Sequence, residues 1–271
     1  MTKKRVITRS VWILSFVSLF TDFASEMLYP VMPIYLQEIG FSVVLIGLLE
    51  GIAEAVAGLS KGYFGKLSDE RKVRVLFVRW GYGFSAISKP MLAIFTFPLW
   101  VFAARTMDRI GKGLRTGARD ALLSSYTTQE HKGKVFGFHR SMDTVGAFLG
   151  PLFALLFLQF FTGAYQTLFL LAFIPGLVAV IITFLLKEPK SEIKAKHIVT
   201  SFSAFLKYPF QSTLEYQRLL IGLLAFALFN SSDVFLLLIL KFNSFSDSQI
   251  LIAYIFYNAV YALFAYPLGI L

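Results

Sequence analysis

Apolar runs of about twenty residues recur along this chain, separated by short polar or glycine-bearing segments. A hydrocarbon layer about 30 Å thick takes about 20 helical residues to cross. Eight runs have that length, near 11–36, 43–64, 74–96, 98–120, 135–160, 164–186, 217–240 and 248–271. The pattern predicts an all-α polytopic membrane protein. The connecting segments alternate in charge. One set holds Lys3, Lys4, Arg5 and Arg9, then Lys66, Arg71, Lys72 and Arg74, then Lys132 and Lys134, then Lys187, Lys190, Lys194, Lys196 and Lys207. The other set, "LQEIGFS", "TFP", "FTGAYQ" and "KFNSFSDS", carries a single lysine, Lys241. Basic loops stay on the cytoplasmic side, so the N-terminus and segment 187–216 are expected there. The expected organisation is a six-helix bundle over 1–186, a cytoplasmic linker over 187–216, and a partial second bundle over 217–271. The linker starts as a charged run and ends amphipathic, which fits a helix lying on the membrane surface and equally a solvated connector.

Composition agrees with the pattern. The chain is 56% hydrophobic and 15% charged, against about 25% charged in an average soluble domain. The net charge of +10 is gathered in alternate loops, which points to topology and not to nucleic acid. No cysteine is present, so disulfides and thiolate metal sites are excluded. "MTKKRVITRS" is basic, but the apolar run after it is too long for a cleaved signal and lacks a small-residue cleavage site. Three histidines without ligand spacing argue against an intramembrane enzyme or a metal site. No phosphate loop appears, and no cofactor is expected.

Several charges fall inside the apolar runs. Asp22 lies about 17 Å along the first run at 1.5 Å per residue, near mid-bilayer. Glu26 is four residues on and shares its face. Carboxylates facing lipid cost several kcal/mol, so both should face the bundle interior or water. They are read as proton carriers, or else as groups bonded to neighbouring helices. In the fourth run Arg105, Asp108, Arg109, Lys112, Arg115, Arg119 and Asp120 fall within an arc of about 140°. Arg105, Asp108 and Arg109 are the deep members, lining a transport path or pairing structurally. Arg115 and Arg119 read as anchors at the cytoplasmic end. Asp22 and Glu26 are read as the partners of this stripe. Glu50 and Glu54 of the second run are further candidate partners for its bases, by salt bridge or ion path. Beside them runs a stripe of small residues, Gly47, Gly51 and Ala55, with Gly58 and Gly62 beyond, suited to close helix packing. His139 and Asp143 share a face with Gly146 and Gly150, His139 being read as a loop-side hydrogen bonder. Lys89, before Pro90, should pair with an acid not evident from sequence.

Two stretches suggest an internal repeat. "GFSVVLIGLL" is similar to "SFSDSQILIAYI", and "SLFTDFASEM" to "ALFNSSDVFL", which sets Asp22 opposite Asp233. Two motifs then resemble the major facilitator superfamily of secondary transporters. "GKLSDERKVR" is similar to that family's loop signature through Gly65 and Asp69, with Arg71, Lys72 and Arg74 as its basic cluster out of register. "GAFLGP" is similar to its antiporter signature through Gly146, Gly150 and Pro151. The "TD-x-x-SEM-x-YP" and "DRIGKG-x-R" stretches resemble certain prokaryotic members. The resemblance implies twelve spans with alternating access, four of them missing, so the chain is expected to be C-terminally truncated. It implies a bacterial inner-membrane location and proton coupling in preference to sodium. It makes Asp69 and its basic neighbours a cytoplasmic latch, and gives Gly146, Gly150 and Pro151 the close packing and bend of span five. The expected partners are a small-molecule substrate, protons and the lipid bilayer, with drug or metabolite efflux first. Import of an anionic or chelated solute is the alternative, and a non-transporting truncated fragment a second one.

Overall fold

The computed structural model describes residues 6–189, 201–230 and 232–270. Thr8 opens α1 (Arg9–Leu28), its side chain accepting from the Val11 N–H. The first run does not continue unbroken to 36. Tyr29–Val31 form a turn, and α2 (Met32–Glu38) resumes with Pro33 in its first turn. Pro30 has no N–H to continue the helical ladder, whereas a proline in a first turn loses nothing. Ser42 caps α3 (Val43–Arg71) by accepting from the Leu45 N–H, and the helix runs past the expected 64 to end at Lys72, with a left-handed φ of 54°. Then follow α4 (Arg74–Ile94), α5 (Pro98–Ser125), α6 (Lys132–Phe160) and α7 (Tyr165–Thr183). After the linker come α8 (Phe202–Gln211), α9 (Leu214–Phe229), α10 (Asp233–Phe242) and α11 (Asp247–Ile270). The run expected at 217–240 is therefore two helices, α10 starting afresh from the Ser232 side chain, which accepts from the Val234 N–H.

Five stretches among the described residues are long and apolar enough to cross a membrane: Arg9–Glu38, Val43–Arg71, Gln129–Phe160, Tyr165–Thr183 and Leu214–Phe242. α4 and α5 are not among them; Arg79 and Lys89 in α4 and the charged stripe in α5 interrupt their apolar character. Both are buried by neighbours instead: α5 lies between α3 and α4, and α4 also packs on α7. α1 packs on α6 and α7, and α11 on α6.

The buried interior is layered. One apolar cluster gathers Val11, Leu14 and Val17 with Val75, Val78, Leu122 and Val135. A second gathers Met27, Leu28 and Leu36 with Leu92, Val101, Ala154 and Phe169. Between them, on the same helices, lie Asp22 and Glu26 of α1, Lys89 of α4, the α5 stripe, and His139 and Asp143 of α6. Large apolar side chains such as Val44, Trp80, Leu99, Ile174 and Ile181 are exposed on the outside, as expected of a surface solvated by lipid.

Two connections order the ends of α3 and α4. Glu188, beyond α7, accepts from the N–H groups of Arg74 at 3.0 Å and Val75 at 2.8 Å, satisfying two of the donors that a helix start leaves open. Glu188→Ala is expected to cost about 1 kcal/mol, read as a lowered thermal midpoint in detergent. α8 supplies the amphipathic end of the linker. It lays Phe202 and Phe205 against Tyr63, with ring centroids 5.2 and 6.2 Å away, at the notch left by Gly62, where a Cβ would stand 2.6 Å from Phe205 Cζ. Lys3, Lys4, Arg5, Lys190, Lys194, Lys196 and His197 lie outside the described residues.

Candidate functional site

Glycines set how closely the site's helices approach. On α6, a Cβ at Gly146 would stand 2.4 Å from the Leu19 carbonyl oxygen and 3.2 Å from Asp22 Cβ. One at Gly150 would stand 2.6 Å from the Phe23 carbonyl oxygen and 3.1 Å from the Glu26 carbonyl carbon. These glycines, with buried Pro151 beside them, press α6 against the stretch of α1 that carries both acids. On α5, a Cβ at Gly111 would lie 2.6 Å from the Gly81 carbonyl oxygen of α4, and one at Gly113 would lie 2.2 Å from Ser60 Cβ of α3. Gly117 meets Gly65 of the loop motif, a Cβ there reaching 2.8 Å from Gly65 Cα. The "GKGLRTG" spacing carries this signal, and reading α5 for its charges alone missed it. Along α3, by contrast, Gly51 and Gly58 have no atom of another element within 4 Å of a built Cβ.

With α3 and α4 this close, the α5 stripe finds its partners. Arg105 donates to Glu50. Arg109 lies 3.7 Å from Glu50 and 3.3 Å from Glu54. Lys89 is the partner of Asp108, at 3.8 Å, and also donates to the Ser85 carbonyl at 2.8 Å. Glu50, Lys89, Arg105 and Arg109 are buried, whereas the Glu54 side chain is 59% exposed. Arg105 and Arg109 therefore pair with Glu50 and Glu54 of α3, one of the two acid sets that the sequence offered, and not with Asp22 and Glu26, the other. Geometry decides this: α5 is packed along α3 and α4 and only touches α1. Glu26 instead accepts from the Tyr254 hydroxyl of α11 at 2.6 Å.

Asp22 and Glu26 nevertheless share a cavity with the stripe. About 70 Å³ in volume, it is bounded by Asp22 and Glu26 of α1, Tyr29 of the turn after it, Lys89 of α4, and Arg105, Asp108, Arg109, Lys112 and Arg115 of α5. Pockets for drug-sized ligands measure about 300–1,000 Å³, so in this conformation the cavity is too small for one. Its wall has three acids, Asp22, Glu26 and Asp108, against five bases, Lys89, Arg105, Arg109, Lys112 and Arg115. Glu50 and Glu54 behind them bring the set to five against five. Protonating Asp22 and Glu26 would leave two positive charges in excess.

Three sequence expectations are corrected here. His139 is not at a loop: it is 3% exposed, its Nδ1 3.3 Å from the Ser15 hydroxyl and its Nε2 3.6 Å from Asp143. Arg115 and Arg119 are not free anchors. Arg115 donates to the Ser85 hydroxyl at 2.5 Å and stacks 4.8 Å over Tyr82; Arg119 donates to Ser18 at 3.2 Å and pairs with Asp120 at 3.0 Å. Each was misplaced because helix depth was counted along the chain, whereas burial depends on the neighbouring helix. In the loop motif, Arg74 binds Asp69 at 2.7 Å in an exposed pair, and Arg71 is exposed. Such pairs contribute about 0–1 kcal/mol.

Comparison with known proteins agrees with this architecture. A model of the Major Facilitator Superfamily matches residues 14–271. An uncharacterized MFS-type transporter of Methanocaldococcus jannaschii is 31% identical over 98% of this chain and 67% of its own length. The Staphyloferrin B transporter of Staphylococcus aureus is 30% identical over 54% of this chain and 37% of its own. The crystal structure of a bacterial homolog of the human lysosomal transporter Spinster, inward-facing and unoccupied, superposes with a TM-score of 0.66 at 18% identity, over 96% of this chain and 60% of that one. The chain thus spans about two-thirds or less of the length of these relatives.

Proposed function

We propose, for a chain that belongs to the major facilitator superfamily, that it forms the greater part of a proton-coupled carrier of a small solute working by alternating access. Membership makes it a multi-pass membrane protein of a transporter family, not of an enzyme family. The observation that carries the reading is the cavity between α1, α4 and α5, where two acids that form no ion pair among the described residues face a cationic stripe whose Arg105 and Arg109 are paired to α3. Ionisable groups at that depth are costly and mark substrate or proton paths. Asp22 and Glu26 are the proton sites in this reading. Arg105, Asp108 and Arg109, held by Lys89, Glu50 and Glu54, form the fixed wall. Gly65, Asp69, Arg71 and Arg74 form the cytoplasmic latch motif, in a bacterial inner membrane with the N-terminus inside. Segment 187–216 joins the six-helix bundle 1–186 to the start of a second bundle, 217–271, and the halves rock about the midplane site.

Direction follows from the charge balance. A cationic solute competes with protons for Asp22 and Glu26, which gives exchange and therefore efflux. An anionic solute is favoured when they are protonated, which gives co-transport. The antiporter-like Gly146, Gly150 and Pro151 favour efflux, and the excess of bases on the cavity wall supports anion import as the second reading. Everted vesicles containing the protein, acidified inside by respiration and reporting lumen pH through an acridine dye, separate the two. Efflux predicts that ethidium added outside raises lumen pH; import predicts that citrate loaded inside does so. Asp22→Asn is expected to reduce the response at least tenfold. A response equal in Asp22→Asn and wild-type vesicles would refute its role as a proton site.

A further inference from the structure

α11 meets the preceding helices through tyrosine hydroxyls. Tyr254, 7% exposed, donates to Glu26 Oε2 at 2.6 Å, and its ring stacks 5.6 Å from that of Tyr29. Two turns further on, the Tyr261 hydroxyl accepts from Arg140 Nη2 at 3.0 Å, and Arg140 lies 4.0 Å from Asp143. The Glu26 contact is the deeper one. Among the described residues Glu26 has no ion pair within 4.0 Å, so the Tyr254 hydroxyl is the strong donor to its carboxylate. Arg109 and Lys112 of α5 and Asp233 of α10 act on Glu26 through space. Asp22 lies one turn before it, Lys89 of α4 lines the same cavity, and α6 presents the uncharged Gly150 to this part of α1. A hydrogen bond to an ionised acceptor is about twice as strong as one between neutral groups. The strength of the α1–α11 contact therefore depends on whether Glu26 carries a proton.

We propose that the Glu26–Tyr254 hydrogen bond is a proton-sensitive latch between α11 and the helices before the linker, with Tyr254 as the positioning residue that turns a proton bound at Glu26 into movement. Ionised Glu26 holds α11 against α1; protonated Glu26 releases it. This rests on the reading of Glu26 as a proton site and adds to it the element that responds.

The absence of cysteine makes the test direct. Spin labels are placed on the full chain through Lys134→Cys at the start of α6 and Leu263→Cys on α11, both exposed positions, and their separation is measured at pH 5 and pH 8. Infrared difference spectra follow the carbonyl band of protonated Glu26, assigned by its loss in Glu26→Gln. The expected result is a longer, broader separation at pH 5 in the wild type. Glu26→Gln should show the acidic distribution at both pH values. Tyr254→Phe should also show it at both, while keeping the carbonyl band on acidification. A Tyr254→Phe protein that shifts with pH as the wild type does overturns the latch. A wild type that gains the band without shifting also overturns the latch but leaves the proton site standing. A wild type that neither gains the band nor shifts overturns both.

Discussion

Glu50→Gln is expected to destabilise the protein by about 3–5 kcal/mol, the cost of removing one partner from a buried ion pair. The Glu50 side chain is 4% exposed and serves two guanidiniums, Arg105 by direct hydrogen bond and Arg109 at 3.7 Å. Their Nε atoms have no hydrogen-bond partner among the described residues; Arg105 has Glu50 as its ion-pair partner, and Arg109 has Glu54 besides. Glu54 can compensate only Arg109, and from an exposed position that water screens. Thermal unfolding in detergent, followed by fluorescence-detected size exclusion, should show the loss. Glu54→Gln should cost under about 1 kcal/mol. Replacing both Arg105 and Glu50 by apolar residues should cost less than Glu50→Gln alone, because Arg105 is then not left as a buried unpaired charge and Arg109 keeps Glu54. Equal losses for Glu50→Gln and Glu54→Gln would show that the buried cluster does not hold α3 and α5 together.

Gly146→Ala and Gly150→Ala are expected to cost about 1–3 kcal/mol each by overpacking, and to impair proton coupling more than stability. The added methyls meet backbone: the Leu19 oxygen at 2.4 Å and the Phe23 nitrogen at 2.9 Å for Gly146, the Phe23 oxygen at 2.6 Å and the Met27 nitrogen at 2.7 Å for Gly150. No side chain can rotate away, so α1 itself must shift, and with it Asp22 and Glu26. Gly137 provides the control on the same helix. Nothing lies within 4 Å of its built Cβ, and Gly137→Ala should be neutral or stabilising by up to about 1 kcal/mol through helix propensity. Dye-reported proton flux and the thermal midpoint, measured on all three variants, separate packing from propensity. If Gly146→Ala behaves like Gly137→Ala, the close α1–α6 approach is not needed.

Much of this architecture is written in local pattern. Apolar runs of membrane-spanning length, the alternation of lysine and arginine between loops, and the facing sets on α1, α3, α5 and α6 follow from helix period and from the cost of charge in hydrocarbon. The sequence therefore determined an all-α membrane protein with an ionisable interior, and it named Glu50 and Glu54 as candidate partners for the bases of α5. It also put Gly146 and Gly150 on one face with His139 and Asp143. Helix breaks were less legible: Pro30 and Pro33 signal the turn after α1 only weakly, because prolines also occur inside continuous helices here, at positions 90, 151 and 175. Partner choice belonged to the tertiary structure. Lys89 meets Asp108, His139 meets Ser15, and Glu26 meets Tyr254 across sequence separations of 19, 124 and 228 residues. Periodicity gives the direction in which a side chain leaves its own helix; which side chain it meets depends on how closely the next helix approaches, and here glycines at α1–α6 and α3–α5–α4 set that distance.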